Sequence, residues 1–397
     1  MRRVRTAVVS DLHLGVLTAS DVARGGKPLD ALAEAVAGAD RLVLLGDIVE
    51  LRERPLAQAL ETARPLLEAV GRAMAGRPVV LAPGNHDHAL AEPWLARLRL
   101  NGELLPNEAE WPVGPEDGAA GRVAAWMPGS EVTLAYPGLW LRPDVYATHG
   151  HYLDLHLTVP RLESIAASAM GRLTKLGRTV ESAADYETIL GPMYAFYAGL
   201  AQGASARALA RGSSFSRTVW KRASDGRAPD MPPRDPAEAA VGGSGTSRAG
   251  AGGTPAASGA GGTRDRATAA VMRFLLGRVT IPGAVAALNA AGLGPFRATL
   301  TGEELRRSGL EAMGRVAGVL APGAEHIIFG HTHRPGPLPN DDTAEWTTPS
   351  GTRLWNSGSW LHEGAFLRTG RESPYWPGTV LTLEDDGPPR VENALQG

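Results

Sequence analysis

Five apolar runs along the chain end in the same kinds of polar residue, and this recurrence does most to restrict the fold. VVSDLH carries Asp11 and His13; LVLLGDIVE carries Asp47 and Glu50; VVLAPGNHD carries Asn85, His86 and Asp87. VYATHGH carries His149 and His151, and IIFGHTH carries His331 and His333. Short apolar, β-branched runs of this kind read as buried strands. In open α/β sheets, ligands collect beyond the carboxyl ends of the strands, where neighbouring loops converge. Strands laid side by side would therefore aim carboxylates, amides and imidazoles at one small volume. The last pair, His331 and His333 around Thr332, leaves three readings open: one metal taking both rings, two metals taking one each, or a polar turn without a ligand role.

What lies between the runs sets the architecture. TAVVS, RLVLLG and PVVLAPG read as strands, separated by the helical patterns PLDALAEAVAGA and RPLAQALETARPLLEAVGRAMAG. Alternation of this kind implies βαβ units and a sheet covered on both faces. From about Arg122 to Thr148 the helical spacing stops, and RVAAWM, EVTLAYPGLWL and DVYATHG read as strands of a second or mixed sheet. After His156 the pattern turns helical, in PRLESIAASAMGRLTKLG, YETILGPMYAFYAGLAQGASARALA, RDRATAAVMRFLLGRV and TGEELRRSGLEAMGRVAGVLA. Between two of these, Gly242 to Thr263 is a Gly/Ala/Ser/Thr stretch without core-forming side chains, and composition of that kind predicts a disordered link. Strand patterns resume at EHIIFGHTH, TRLWNSGSWL and GTVLTLED. The expectation is one α/β core from residues 1–155 and 325–397, interrupted at 156–324 by a helical insertion or cap with a disordered linker at about 226–265.

Composition narrows the chemistry. The chain has no cysteine, which excludes thiolate ligands and cysteine nucleophiles. A formal net charge of −2 gives no general electrostatic case for nucleic acid, and none is expected as a partner. The N-terminal MRRVRTAVVSDLHLG has too short an apolar run for a signal-peptide core. The most membrane-like stretch, Val279 to Phe296, is broken by Pro282, Asn289 and glycines, whereas a spanning helix wants about 20 predominantly apolar residues. A cytoplasmic protein is expected. Clustered carboxylates repel and clustered imidazoles gain nothing from one another, so a divalent metal supplies the reason for gathering them. Oxygen and nitrogen donors without sulfur suit manganese, iron, zinc or nickel.

Taken in order, DLH, GDIVE, GNHD, THGH and GHTH resemble the motifs of the calcineurin-like metallophosphoesterases. The resemblance covers the core segments and leaves out the insertion. It implies an α/β fold, a four-layer α/β/β/α sandwich carrying a helical insertion. It implies two divalent ions, with manganese the leading candidate. Asp11, His13 and His333 would hold one ion, Asn85, His149 and His331 the other, and Asp47 would bridge them; the final imidazole pair is then split between the ions. Two divalent ions less Asp11 and Asp47 leave a positive centre, able to bind an anionic phosphate and to lower the pKa of its own water.

The same resemblance implies that His86 stands beside the metals as general acid or leaving-group stabiliser, with Glu50 orienting it and Asp87 counted in the catalytic set. His151 and Arg334 are candidates for substrate contact, His151 alternatively for hydrogen bonding behind the ligands. WNSGSW, Trp355 to Trp360, resembles a segment found near the site in relatives, or is a packed strand and turn. His88, His156, His326 and His362 read as structural or solvated.

The implied activity is hydrolysis of a phosphate ester or pyrophosphate by attack of a metal-bridging hydroxide. The substrate would be a phosphorylated small molecule or lipid-linked compound. GDIVE and NSGSW look most like the UDP-diacylglucosamine pyrophosphohydrolase branch acting at a membrane surface, which usually has arginine where His86 stands. A non-catalytic scaffold, or an adaptor making peripheral membrane contact through the insertion, is the alternative of another class.

Overall fold

The computed structural model describes residues 4–176, 179–202, 281–297, 302–364, 366–367 and 369–396. The predicted linker at about 226–265 and the helical reading of RDRATAAVMRFLLGRV lie outside the described residues.

The first strands and helices follow the sequence closely: β1 (Thr6–Val9), α1 (Gly26–Ala37), β2 (Arg41–Leu44), α2 (Leu56–Ala73) and β3 (Val79–Leu81). Next come α3 (Glu92–Asn101), β4 (Glu110–Pro112), α4 (Gly118–Ala125), β5 (Val132–Ala135), β6 (Gly138–Arg142) and β7 (Val145–Thr148). The insertion contributes α5 (Leu162–Leu173), α6 (Ala183–Gln202), α7 (Ile281–Ala290) and α8 (Gly302–Leu320). The chain then adds β8 (His326–Phe329), β9 (Arg353–Asn356), β10 (Thr379–Leu383) and β11 (Arg390–Asn393).

Two sheets result, ordered β11-β10-β1-β2-β3-β5-β4 and β6-β7-β8-β9. β1, β2, β3 and β5 run parallel, as do β7, β8 and β9. Because side chains alternate along a strand, each sheet divides its residues between two cores. Val8, Val43 and Val80 meet Leu139, Val145, Ala147 and Ile328 between the sheets. Ala7, Val9, Leu42 and Leu44 face outward onto the helical layer of Leu32, Val36, Leu60 and Leu67. Tyr146, Ile327 and Phe329 face the other way, in the same outer core as Met313 and Val316 of α8. This is the four-layer α/β/β/α sandwich.

Three expectations change. RVAAWM, read as a strand, falls largely in α4, where Ala120, Gly121 and Val123 are buried and Trp126 caps the C-terminus. A short apolar run has no period of its own to separate helix from strand. Helix α3 was not anticipated, because only Trp94 and Leu95 are buried in it and so little apolar stripe leaves no period to read. Helix α8, assigned to the insertion, instead forms an outer layer of the sandwich: Leu310, Met313 and Val316 share one core with Tyr146 and Phe329. Amphipathic spacing shows that a helix must bury a face, not which surface receives it. Among the described residues no helix is long and apolar enough to cross a membrane.

Candidate metal centre

Among the described residues, seven that are not glycine have φ in the left-handed region, and five of them are Asp11, His13, Asp47, His331 and His333, with φ of 54°, 44°, 54°, 65° and 61°. Such backbone costs roughly 1–3 kcal/mol per residue and collects at functional sites, although Asp and His tolerate it better than most. It turns the chain sharply beyond each strand end, so two side chains from one short loop reach a common volume. Glycines allow the loops to close up: a Cβ at Gly46, whose φ is 79°, would stand 2.4 Å from the His149 ring, and one at Gly84 would stand 2.3 Å from Asp47 Oδ1.

Two of the sets in which nitrogens and oxygens converge among the described residues are Asp11–His13–His333 and Asp47–His149–His331, with the candidate ligand atoms of each within 4.8 Å of one another; a third, His13–Glu50–His86, shares His13 with the first. In the first, His13 Nε2 lies 3.3 Å from His333 Nε2, and His333 Nε2 lies 3.3 Å from Asp11 Oδ1. In the second, His149 Nε2 lies 3.2 Å from Asp47 Oδ2. The same Asp47 oxygen is 3.6 Å from His13 Nε2, so it touches both groups. His331 and His333 go to different groups.

In their neutral tautomers these rings turn lone pairs toward one another and toward the carboxylates. His149 Nδ1 donates to the Leu45 carbonyl at 2.9 Å; its Nε2 is buried without a hydrogen-bond partner. His331 Nε2 donates to Asp154 Oδ1 at 3.0 Å, which leaves Nδ1 as an acceptor. The Asn85 side-chain oxygen faces that Nδ1 at 3.3 Å and Asp47 Oδ2 at 3.2 Å. Hydrogen bonding alone would turn the amide over and present its nitrogen; an oxygen facing inward suits a cation. The pocket does draw positive charge. Burial alone would lower the pKa of His149 and His13. Against it, the Asp47 and Asp11 carboxylates raise His149 to about 10, and Glu50, with Asp47 and Asp11, raises His13 to about 9. Buried lone-pair donors in a negative pocket fit divalent metal ions.

His86 lies at the edge, its side chain 24% exposed and its Nε2 4.0 Å from Asp47 Oδ2. Glu50 Oε2 accepts from His86 Nδ1 at 2.7 Å and from His13 Nδ1 at 3.1 Å. Burial opposes ionisation of Glu50, but the His86 and His13 rings hold its carboxyl well below the ordinary range.

Other predicted residues stand elsewhere. Asp87 was placed in the catalytic set, but it is fully buried and its carboxylate accepts the backbone N–H of Gly84 (2.7 Å), Ile48 (2.8 Å) and Asp47 (3.1 Å). It ties the second and third strand-end loops together and reaches no substrate. Arg334, a candidate for substrate contact, is buried and paired through both NH groups with Asp341 at 2.5 Å, leaving no free fork for a phosphate. His151, the other candidate, is buried behind His149 with its Nε2 3.2 Å from Tyr136 Oη. Burial and three neighbouring histidines push its pKa well down, so it is a neutral ring behind the ligands. The WNSGSW segment supports the last loop, since Asn356 Nδ2 donates to the Gly330 carbonyl (2.8 Å) and Thr332 Oγ1 (2.9 Å).

Two residues escaped the sequence reading. Asp154 fixes the tautomer and orientation of His331, the usual role of a carboxylate behind a metal-binding histidine. Arg52 places NH1 3.2 Å from His86 Nε2. Both sit within a few positions of recognised motifs, in THGHYLD and GDIVELR, but neither has a spacing that marks it.

The buried bonds of Asp87 give a direct expectation. Asp87→Ala leaves three buried N–H groups unpaired and should lower stability by about 3 kcal/mol or more. Urea denaturation of the metal-free chain reads this; an unchanged midpoint would show that Asp87 does not hold the loops.

The family model described as calcineurin-like phosphoesterase matches residues 4–178. This part of the chain is a calcineurin-like phosphoesterase domain, and the chain is a metal-dependent phosphoric ester hydrolase. No curated protein matches the chain.

Proposed function

We propose that this phosphoesterase cleaves a phosphate ester or pyrophosphate bond of a phosphorylated small molecule or lipid-linked compound at a two-ion centre. Asp11, His13 and His333 would hold one ion, Asn85, His149 and His331 the other, with Asp47 between them. The observation carrying this reading is that Asp47 Oδ2 stands 3.6 Å from His13 Nε2 and 3.2 Å from His149 Nε2, facing both groups at once. Divalent ions there would supply Lewis-acid stabilisation of the phosphoryl oxygens and a water of lowered pKa.

The chain's own groups do the remaining work. Glu50 accepts from His86 Nδ1, and so leaves Nε2, 4.0 Å from Asp47 Oδ2, as the nitrogen from which a protonated ring can donate to the departing oxygen. Asp154 and the Leu45 carbonyl keep the His331 and His149 rings in their binding tautomers. Buried ligands and glycine-tight loops leave the centre little room to reorganise, which favours stabilisation of the charge developing in the transition state.

The experiment is metal removal and return. A chromogenic phosphodiester and monoester should be hydrolysed by the manganese-loaded chain, not by the chelated one, and again after manganese is restored. Elemental analysis should find two ions per chain. Full activity in a chain verified as metal-free would refute the reading, and fewer than two ions in the active chain would refute the two-ion centre.

A further inference from the structure

We propose that Arg52 grips the substrate phosphate and is held in position by the inserted helices α5 and α6, which makes the insertion part of the active site. This rests on the two-ion reading above.

The Arg52 guanidinium stands beside His86 and Asn85. Its NH1 is 3.2 Å from His86 Nε2 and 3.0 Å from the nitrogen of the Asn85 amide, so it lies between the leaving-group histidine and a proposed ligand. Its NH2 is 3.9 Å from Glu163 Oε1 of α5, and the side chain is 11% exposed. That separation exceeds hydrogen-bond length. With the Asn85 amide oxygen turned toward the cluster, His86 Nε2 is the one hydrogen-bond acceptor that the guanidinium meets among the described residues. Turning the Asn85 amide would add a second acceptor, but would put an N–H where the cluster needs a lone pair. A guanidinium carries five N–H donors in a planar fork. Among the described residues most of them meet no protein acceptor within hydrogen-bond distance, and the one acceptor is a ring nitrogen that must itself donate to a leaving oxygen. A phosphate oxygen between the two satisfies both, and a planar fork suits its geometry.

The position is fixed from outside the sandwich. The Arg52 guanidinium carbon lies 4.2 Å from the centroid of the Tyr197 ring, on α6, a cation–π distance. Glu163 approaches from α5. On the core side, the Arg52 backbone N–H donates to Glu50 Oε1 at 3.0 Å, so one carboxylate anchors both this loop and the His86 ring. The inserted helices thus aim a cation whose loop is set by the core.

The test uses the full chain loaded with manganese, with inorganic phosphate as the probe, titrated by calorimetry so that no turnover is needed. Arg52→Ala should keep both ions and weaken phosphate binding by about 10²-fold. Arg52→Lys should restore only part of that, because the charge returns without the fork. Added guanidinium ion should partly rescue Arg52→Ala. Tyr197→Ala should weaken binding by about 3- to 5-fold, and Tyr197→Phe should not. Unchanged phosphate affinity in Arg52→Ala with both ions present would overturn the proposal, and loss of the ions would reassign Arg52 to holding the metal loops. A chain that hydrolyses no ester yet binds phosphate through Arg52 would overturn the catalytic reading and leave this one standing.

Discussion

Asp47→Asn should cost the chain both ions and lower phosphoesterase turnover by about 10³-fold or more. Its carboxylate lies against the ring nitrogens of both groups. Asp47 Oδ2 lies 3.2 Å from His149 Nε2 and 3.6 Å from His13 Nε2, while Oδ1 accepts the His86 backbone N–H at 2.8 Å. An amide keeps the shape but removes the charge that would offset two cations, and turns an N–H toward one candidate ligand group or the other. The measurement pairs elemental analysis with rates at saturating manganese, and circular dichroism checks that the fold survives. Two ions and a normal rate in the variant would show that the Asp47 carboxylate does not hold the ions.

His86→Asn should behave in the opposite way. Both ions should remain, because the ring's nearest approach to Asp47 Oδ2 is 4.0 Å and its Nδ1 bonds Glu50 rather than facing a ligand group. kcat should fall by about 10²–10⁴-fold, the range for a positioned acid–base group, with KM little changed. Normal turnover would refute the role. Loss of metal would show that the Glu50–His86 pair instead props up His13, which shares the same carboxylate oxygen.

The two variants together separate holding the ions from moving a proton, a distinction the sequence could only assign by resemblance. In the structure it rests on direction. Glu50 engages His86 Nδ1, whereas the Leu45 carbonyl engages His149 Nδ1 and Asp154 engages His331 Nε2, which leaves the other nitrogen of each ring for the proposed ions.

Residues whose chemistry is carried by neighbours in sequence were legible. The strand-end motifs Asp11–His13, Asp47, Asn85–His86, His149 and His331–His333 are local, and each apolar run already fixes where the loop begins. The sandwich followed from the same runs. What failed were assignments that need a partner from elsewhere. Asp87 carries the residue type of a catalytic carboxylate, yet its oxygens are taken by amides of the loop at 47–48, about 40 residues away. Arg334 was matched to phosphate by its fork, yet that fork is closed on Asp341. Asp154 meets His331 across 177 positions, and Arg52 meets Tyr197 and Glu163 of the inserted helices; no spacing rule reaches so far.

The sequence by itself determined the kinds of candidate ligand atom, the strand ends that present them and the layered architecture, because hydrophobic period and loop chemistry are properties of short segments. Only the tertiary structure decided which oxygen faces both groups, which carboxylate is engaged by backbone amides and which arginine stands beside His86. Those depend on hydrogen bonds and ion pairs between segments that meet only after the sheets have packed.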